Sequence, residues 1–213
     1  MILKFRIGWV FLLLLSLAQQ LPGQPSGYRG FTVDESAVRG LPNVEEIRTA
    51  LREQIEMVCA VGLPPEIMTF FQKVPLVFVP AESVAKASPG LYLRATRNVK
   101  LTSRILVIGR RPVLLHELLH AYHDQRLPKG TANPEILAFY EAAKSLNAYG
   151  TSSHMMKNVS EFFACSGTTY LFGVTAQEPF KRTALQEHQP ALVAHLQSLF
   201  GPSTGTYQGV LTR

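Results

Sequence analysis

Cysteine is scarce in this sequence. Cys59 and Cys165 are the only two in 213 residues. At most one disulfide can therefore form, and neither residue has the Cys-x-x-Cys spacing of a structural metal knuckle. Long apolar runs are scarce too. Ile7 to Ala18 is almost wholly apolar but shorter than the ~20 residues of a membrane span. Lys4 and Arg6 precede it, and Gln19, Gln20, Pro22 and Gly23 follow. This is the pattern of a secretory signal peptide over residues 1–23. It implies a secreted or periplasmic product with no stable membrane span after cleavage. The alternative is an uncleaved segment that anchors the chain to a membrane.

Charge of one sign is not in large excess. The formal net charge of +6 becomes +4 once Lys4 and Arg6 are removed. No arginine-rich run and no alternation of basic and aromatic residues stands out, so a nucleic-acid partner is not expected. Arg94, Arg97, Lys100, Arg104, Arg110 and Arg111 do gather in one stretch. They read as solvated strand edges and turns, or as a basic rim that attracts acidic substrates. No internal repeat and no linker between two cores is visible. Residues 24–213 therefore read as one domain, with a mobile tail over 201–213.

Apolar spacing gives the elements. Residues 24 to 42 are rich in Gly, Pro and polar residues and read as an irregular lead-in. Val44, Ile47, Leu51, Ile55 and Val58 recur at helical spacing behind Asn43, with Gly62 as a stop. Pro64-Pro65 restarts a short helix through Phe71. Val74 to Val79 is β-like, and Pro75 and Pro80 hold it to an edge or to strand ends. Leu91 to Leu101 and Ile105 to Ile108 read as further strands. Pro112 is placed to open a helix, in which Leu115, Leu118, Leu119 and Tyr122 face the core. Asn133-Pro134-Glu135 starts another helix, which runs to about Ala148. Asn158-Val159-Ser160-Glu161 starts a third, and a last helix covers roughly Lys181 to Phe200. The fold class that follows is α+β: helix-rich, with a small sheet before the helix that opens at Pro112.

That helix carries His116-Glu117-Leu118-Leu119-His120. Histidines at i and i+4 share one helical face, one turn apart, and can bind one metal ion. Zinc suits two imidazoles. It lowers the pKa of a bound water, from which the neighbouring Glu117 can take a proton and pass it to a leaving amine. The pattern is short, and its bland counterpart is a chance match on a core helix. A catalytic zinc also needs a third protein ligand. His123 lies seven positions after His116, about 10 Å along the axis at 1.5 Å per residue, too far to share a metal with both partners. It reads as an exposed or outer histidine. A third ligand six residues after His120, as in the metzincins, would fall on Arg126. The remaining candidates are Glu135, Glu141 and Glu161. Glu135 fits a dipole-favoured acid at a helix start. Glu141 has the separation from His120 seen in thermolysin-like enzymes, without their flanking residues. Glu161 precedes Phe162-Phe163-Ala164, and a carboxylate emerging from an otherwise buried helix needs a partner. It also fits the acidic position of a capping box behind Asn158.

The His-Glu-x-x-His stretch followed by Asn158-Val159-Ser160-Glu161-Phe162-Phe163-Ala164 resembles the lethal-factor-like (gluzincin-type) zinc metallopeptidases. The likeness covers roughly Leu114 to Gly173, and Glu-Phe-Phe-Ala is its distinctive element. The resemblance implies His116, His120 and Glu161 as ligands of Zn2+ and Glu117 as general base. It also implies a zincin fold whose edge strand aligns a peptide or protein substrate. One departure stands out. The family has an oxyanion-stabilising tyrosine seven residues before the third ligand, and here that position is His154. An imidazole can donate the same hydrogen bond. Otherwise Tyr149 supplies it, or His154 is a loop polar residue and the donor is missing. The function expected is a secreted zinc endopeptidase. The alternatives are a weak or inactive metal-binding protein that keeps the fold, and a metal-dependent hydrolase of another amide.

Overall fold

The computed structural model describes residues 26–84 and 88–203. The signal segment 1–23 and most of the C-terminal tail expected to be mobile lie outside the described residues. A five-stranded sheet carries one face of the core, in the order β1-β2-β3-β5-β4. Strands β1 (Ser26–Tyr28) and β2 (Phe31–Asp34) form a hairpin over Arg29 and Gly30, both at positive φ. Two such residues suit a two-residue hairpin turn whose twist matches the strands. This corrects the irregular lead-in expected from composition, for Phe31 and Val33 alternate inward and are buried. Next come helices α1 (Val44–Ala60) and α2 (Pro65–Lys73) and strand β3 (Leu76–Val79). β3 is an interior strand, parallel to both β2 and β5. Pro75 and Pro80 bracket it, so neither ring removes a donor from the ladder.

The sheet's edges are β1 and β4 (Gly90–Leu93), the latter antiparallel to β5 (Asn98–Thr102). Ile105–Ile108 is not a strand. Ser103–Leu106 forms a 3-10 turn capped by the Thr102 hydroxyl, which accepts from the Arg104 N–H. Of its apolar residues Ile105 is buried and Val107 is 77% exposed. A strand would have had to bury Val107 on an alternating face.

Helix α3 (Val113–Gln125) follows, with Pro112 in the capping position rather than inside it. Leu114, Leu115, Leu118 and Leu119 are fully buried. Each buried side chain of this size stabilises the fold by about 1.5–3 kcal/mol. Then come α4 (Pro134–Ser145), α5 (Val159–Phe172), α6 (Arg182–His188) and α7 (Pro190–Phe200). The single last helix expected from spacing is two, because Pro190 cannot donate to the turn before it and starts α7 anew. α5 is buried from Phe162 to Phe172 and packs along α3. Gly167 permits this, since a Cβ there would stand 3.1 Å from Leu119 Cδ1. Cys59 and Cys165 are free thiols, not a disulfide. Among the described residues no helix is long and apolar enough to cross a membrane.

Candidate metal centre and cleft

Helical spacing stacks His116 and His120 on the same face of α3, and their Nε2 atoms are 3.1 Å apart. The partner comes from the first turn of α5. Asn158 caps that helix, its side chain accepting from the Glu161 N–H at 2.9 Å. The Glu161 carboxylate itself turns inward. Its Oε2 lies 3.2 Å from His116 Nε2 and 3.3 Å from His120 Nε2. All three donor atoms fall within 4.8 Å of one another, a group that could hold a metal ion. The fit is geometric as well as chemical. Ligands at about 2.0–2.1 Å in a tetrahedral zinc shell stand roughly 3.3 Å apart. The three observed separations form one face of such a tetrahedron.

The competing acids are engaged elsewhere. Glu141 is exposed and pairs with Lys144 at 3.1 Å. Glu135 pairs with His195 at 3.3 Å near the start of α4. His123, read from the sequence as an exposed or outer histidine, is fully buried, with its ring 4.7 Å from that of Phe163 and neither nitrogen hydrogen-bonded. Burial lowers its pKa to about 4.

Glu117 sits beside the three donors, wedged under the edge strand. Strand β4 turns the N–H of Tyr92 away from β5, and Glu117 Oε2 accepts it at 2.7 Å. The close approach depends on Gly90, where a Cβ would stand 2.6 Å from Val113 Cγ1 and 2.9 Å from Glu117 Cγ. Tyr92 also ties β4 to the far end of α3, donating to Asp124 Oδ2 at 2.9 Å. Arg94 adds an ion pair to the same carboxylate at 2.7 Å, so this member of the basic stretch is structural. Burial raises the Glu117 pKa, partly offset by the nearby His116 and the Tyr92 N–H. Burial also opposes ionisation of Glu161, but hydrogen bonds with His116, His120 and His154 outweigh it and hold its pKa below the usual range. The two carboxylates of the site are thus pushed in opposite directions, one toward proton uptake and one toward ionisation.

His154 opens a 3-10 turn, His154–Lys157, pinned by buried Met155 and by the Tyr140 hydroxyl, which donates to the Met156 carbonyl at 3.0 Å. Its Nε2 is 3.0 Å from Glu161 Oε2, and the side chain is 42% exposed. That hydrogen bond raises its pKa and keeps the ring a donor. Tyr149, the other candidate donor, is buried with its ring against His188 and does not line the cleft.

His116, Glu117 and His154 head a cleft that continues past Arg111 and Val113 to the turn at Thr175–Glu178. The sequence reading missed that far wall. Its one visible signal was Pro179 behind Glu178, which marks a turn and not a site.

No family model matches this sequence, and no curated protein is similar to it in sequence. Among solved structures its fold is similar to that of the Pro-Pro endopeptidase PPEP-2 from Paenibacillus alvei. The TM-score is 0.52 at 15% identity, over 76% of this chain and 95% of that one. The likeness is one of fold, and it agrees with the α+β architecture expected from the sequence.

Proposed function

We propose that this protein is a zinc-dependent endopeptidase, exported by its N-terminal segment, in the manner of the lethal-factor-like enzymes. The observation that carries the reading is the convergence of His116, His120 and Glu161 at tetrahedral spacing beside the buried Glu117. The similarity of fold to an endopeptidase supports it. A zinc ion in this site would polarise the attacking water and the scissile carbonyl. Glu117 takes the proton from that water, since its carboxylate faces the site and its burial favours proton uptake. The same group then hands the proton to the leaving nitrogen. His154 turns from Glu161 to donate its N–H to the oxygen that gains charge. The cleft leading away from His116 and Glu117 receives the peptide.

Metal removal and one substitution test this. Zinc-loaded protein should cleave peptides, and a chelator should abolish cleavage. Glu117→Gln should keep zinc and lose turnover by roughly 10²–10⁴-fold, the usual weight of general acid–base catalysis. A zinc-loaded wild type that cleaves no member of a diverse peptide library would overturn the reading, as would a Glu117→Gln protein of full activity.

One observation favours a second reading. The His154 Nε2 is already engaged with Glu161 at 3.0 Å. If it stays there, the oxyanion lacks this donor, and the protein is a metal-binding protein of weak or no activity. Full zinc occupancy with partner binding unchanged in Glu117→Gln, and no proteolysis by wild type, would be its signature.

A further inference from the structure

Beyond the head of the cleft, its lining holds two charged side chains, Arg111 and Glu178. They are disposed differently. The Glu178 carboxylate is turned toward the neighbouring loop. Its Oε1 accepts the Gly150 N–H at 3.4 Å, and its Oε2 is closed off from solvent. A ligand in the cleft does not reach that buried oxygen. Arg111 is exposed, and no hydrogen bond or ion pair engages its guanidinium among the described residues. Three other arginines are tied down: Arg29 to Glu56, Arg48 to Glu35 and Arg94 to Asp124.

The main chain of Arg111 is held in place. Its carbonyl accepts from Gln54 Nε2 at 2.8 Å, and Gln54 Oε1 accepts the Leu114 N–H at 3.0 Å. Gln54 is itself buried. The side chain thus starts from a fixed point at the mouth of the cleft, five residues ahead of His116. Pro112 and Val113 follow it in the lining and supply apolar surface there. A guanidinium so placed takes a carboxylate through two parallel hydrogen bonds.

We infer that Arg111 makes this cleft a subsite for a carboxylate of the peptide, either an Asp or Glu side chain near the cleaved bond or a free C-terminus. The inference rests on the peptidase reading above and names its substrate class. Cleavage of matched peptides by the zinc-loaded full chain tests it. One set carries Asp or Glu within two positions of the cleaved bond and is compared with Asn or Gln. The other set is compared with free and amidated C-termini. The expected preference for the acid is about tenfold or more and sits in KM, from a hydrogen-bonded charge pair. Arg111→Ala should erase that ratio, and Arg111→Glu should shift it toward Lys. Arg104→Ala, exposed and off the cleft, should leave it. Whichever set shows the preference tells side chain from C-terminus.

Binding of the same peptides to zinc-loaded Glu117→Gln, read by fluorescence anisotropy, separates the two claims. Arg111-dependent binding without cleavage by wild type would retain the subsite and overturn the peptidase reading. Cleavage whose acid preference is absent, or is unmoved by Arg111→Ala, would overturn the subsite and retain the peptidase. Neither cleavage nor acid-dependent binding would overturn both.

Discussion

His116 and His123 lie on the same side of α3, two turns apart, yet they live in opposite chemistry. At the level of His116, α5 presents the Glu161 carboxylate, and the two groups meet at 3.2 Å. At the level of His123, α5 presents the Phe163 ring, and neither imidazole nitrogen has a partner. One half of the α3–α5 contact therefore gathers polar atoms that satisfy each other or a metal. The other half is packed like a core and tolerates a histidine only in its neutral form. The role of each histidine is set by what the second helix brings to its level, not by its distance from the motif.

The largest way to break this contrast is to remove the acid. Glu161→Ala should lower zinc affinity by more than ~100-fold, beyond the 10–100-fold typical of losing a mere outer partner of a ligand. Glu141→Ala should leave it unchanged. Isothermal titration with zinc reads both, and equal losses would erase the distinction between the two acids.

His154→Phe comes next. It removes the imidazole beside Glu161 without touching the three metal donors. Turnover should fall by roughly 10²–10³-fold, the cost of one oxyanion donor. His154→Tyr should recover part of it. A phenylalanine variant with wild-type kcat would reduce His154 to a loop polar residue.

The apolar half is probed by pH. The folded state holds His123 at about pKa 4, below its ordinary 6.5, because burial penalises the charged ring. The folded protein thus binds fewer protons than the unfolded chain between these values. This contribution to stability is complete above pH 6.5 and is lost as pH falls from 6.5 toward 4. At about 1.4 kcal/mol per unit, the loss is of the order of 3 kcal/mol. Denaturant melts of chelated protein across this range should show it, and His123→Phe should flatten the slope relative to wild type. Identical slopes would place His123 in contact with water.

Much of the site was legible because its first part is local. Helical spacing alone puts His116 and His120 on one face with Glu117 beside them. Glu161 was not legible that way, because the proximity of α5 to α3 depends on tertiary packing such as Gly167 on Leu119. The apolar Phe162-Phe163-Ala164 behind it made it one of three candidate acids, and the Glu-Phe-Phe-Ala resemblance singled it out. The capping reading of Glu161 is half met: Asn158 caps the helix through its side chain, but the Glu161 carboxylate turns to His116, His120 and His154. Arg111 drew notice only as one of six basic residues, and the opposite cleft wall drew none.

The sheet shows the same boundary between local and distant signals. Phe31 and Val33 alternate as a strand should, but Gly and Pro around them masked it. The interior place of β3 follows from parallel partners far off in sequence. Ile105 to Ile108 has a strand's composition, and the Thr102 cap turns the chain into a 3-10 turn instead.

The most direct test of the account is the coordination shell of the zinc-loaded protein, read from its crystal structure. The account predicts nitrogen from His116 and His120 and oxygen from Glu161, each at about 2.0–2.2 Å. A shell completed by Glu141, by a cysteine sulfur or by His123 would contradict it.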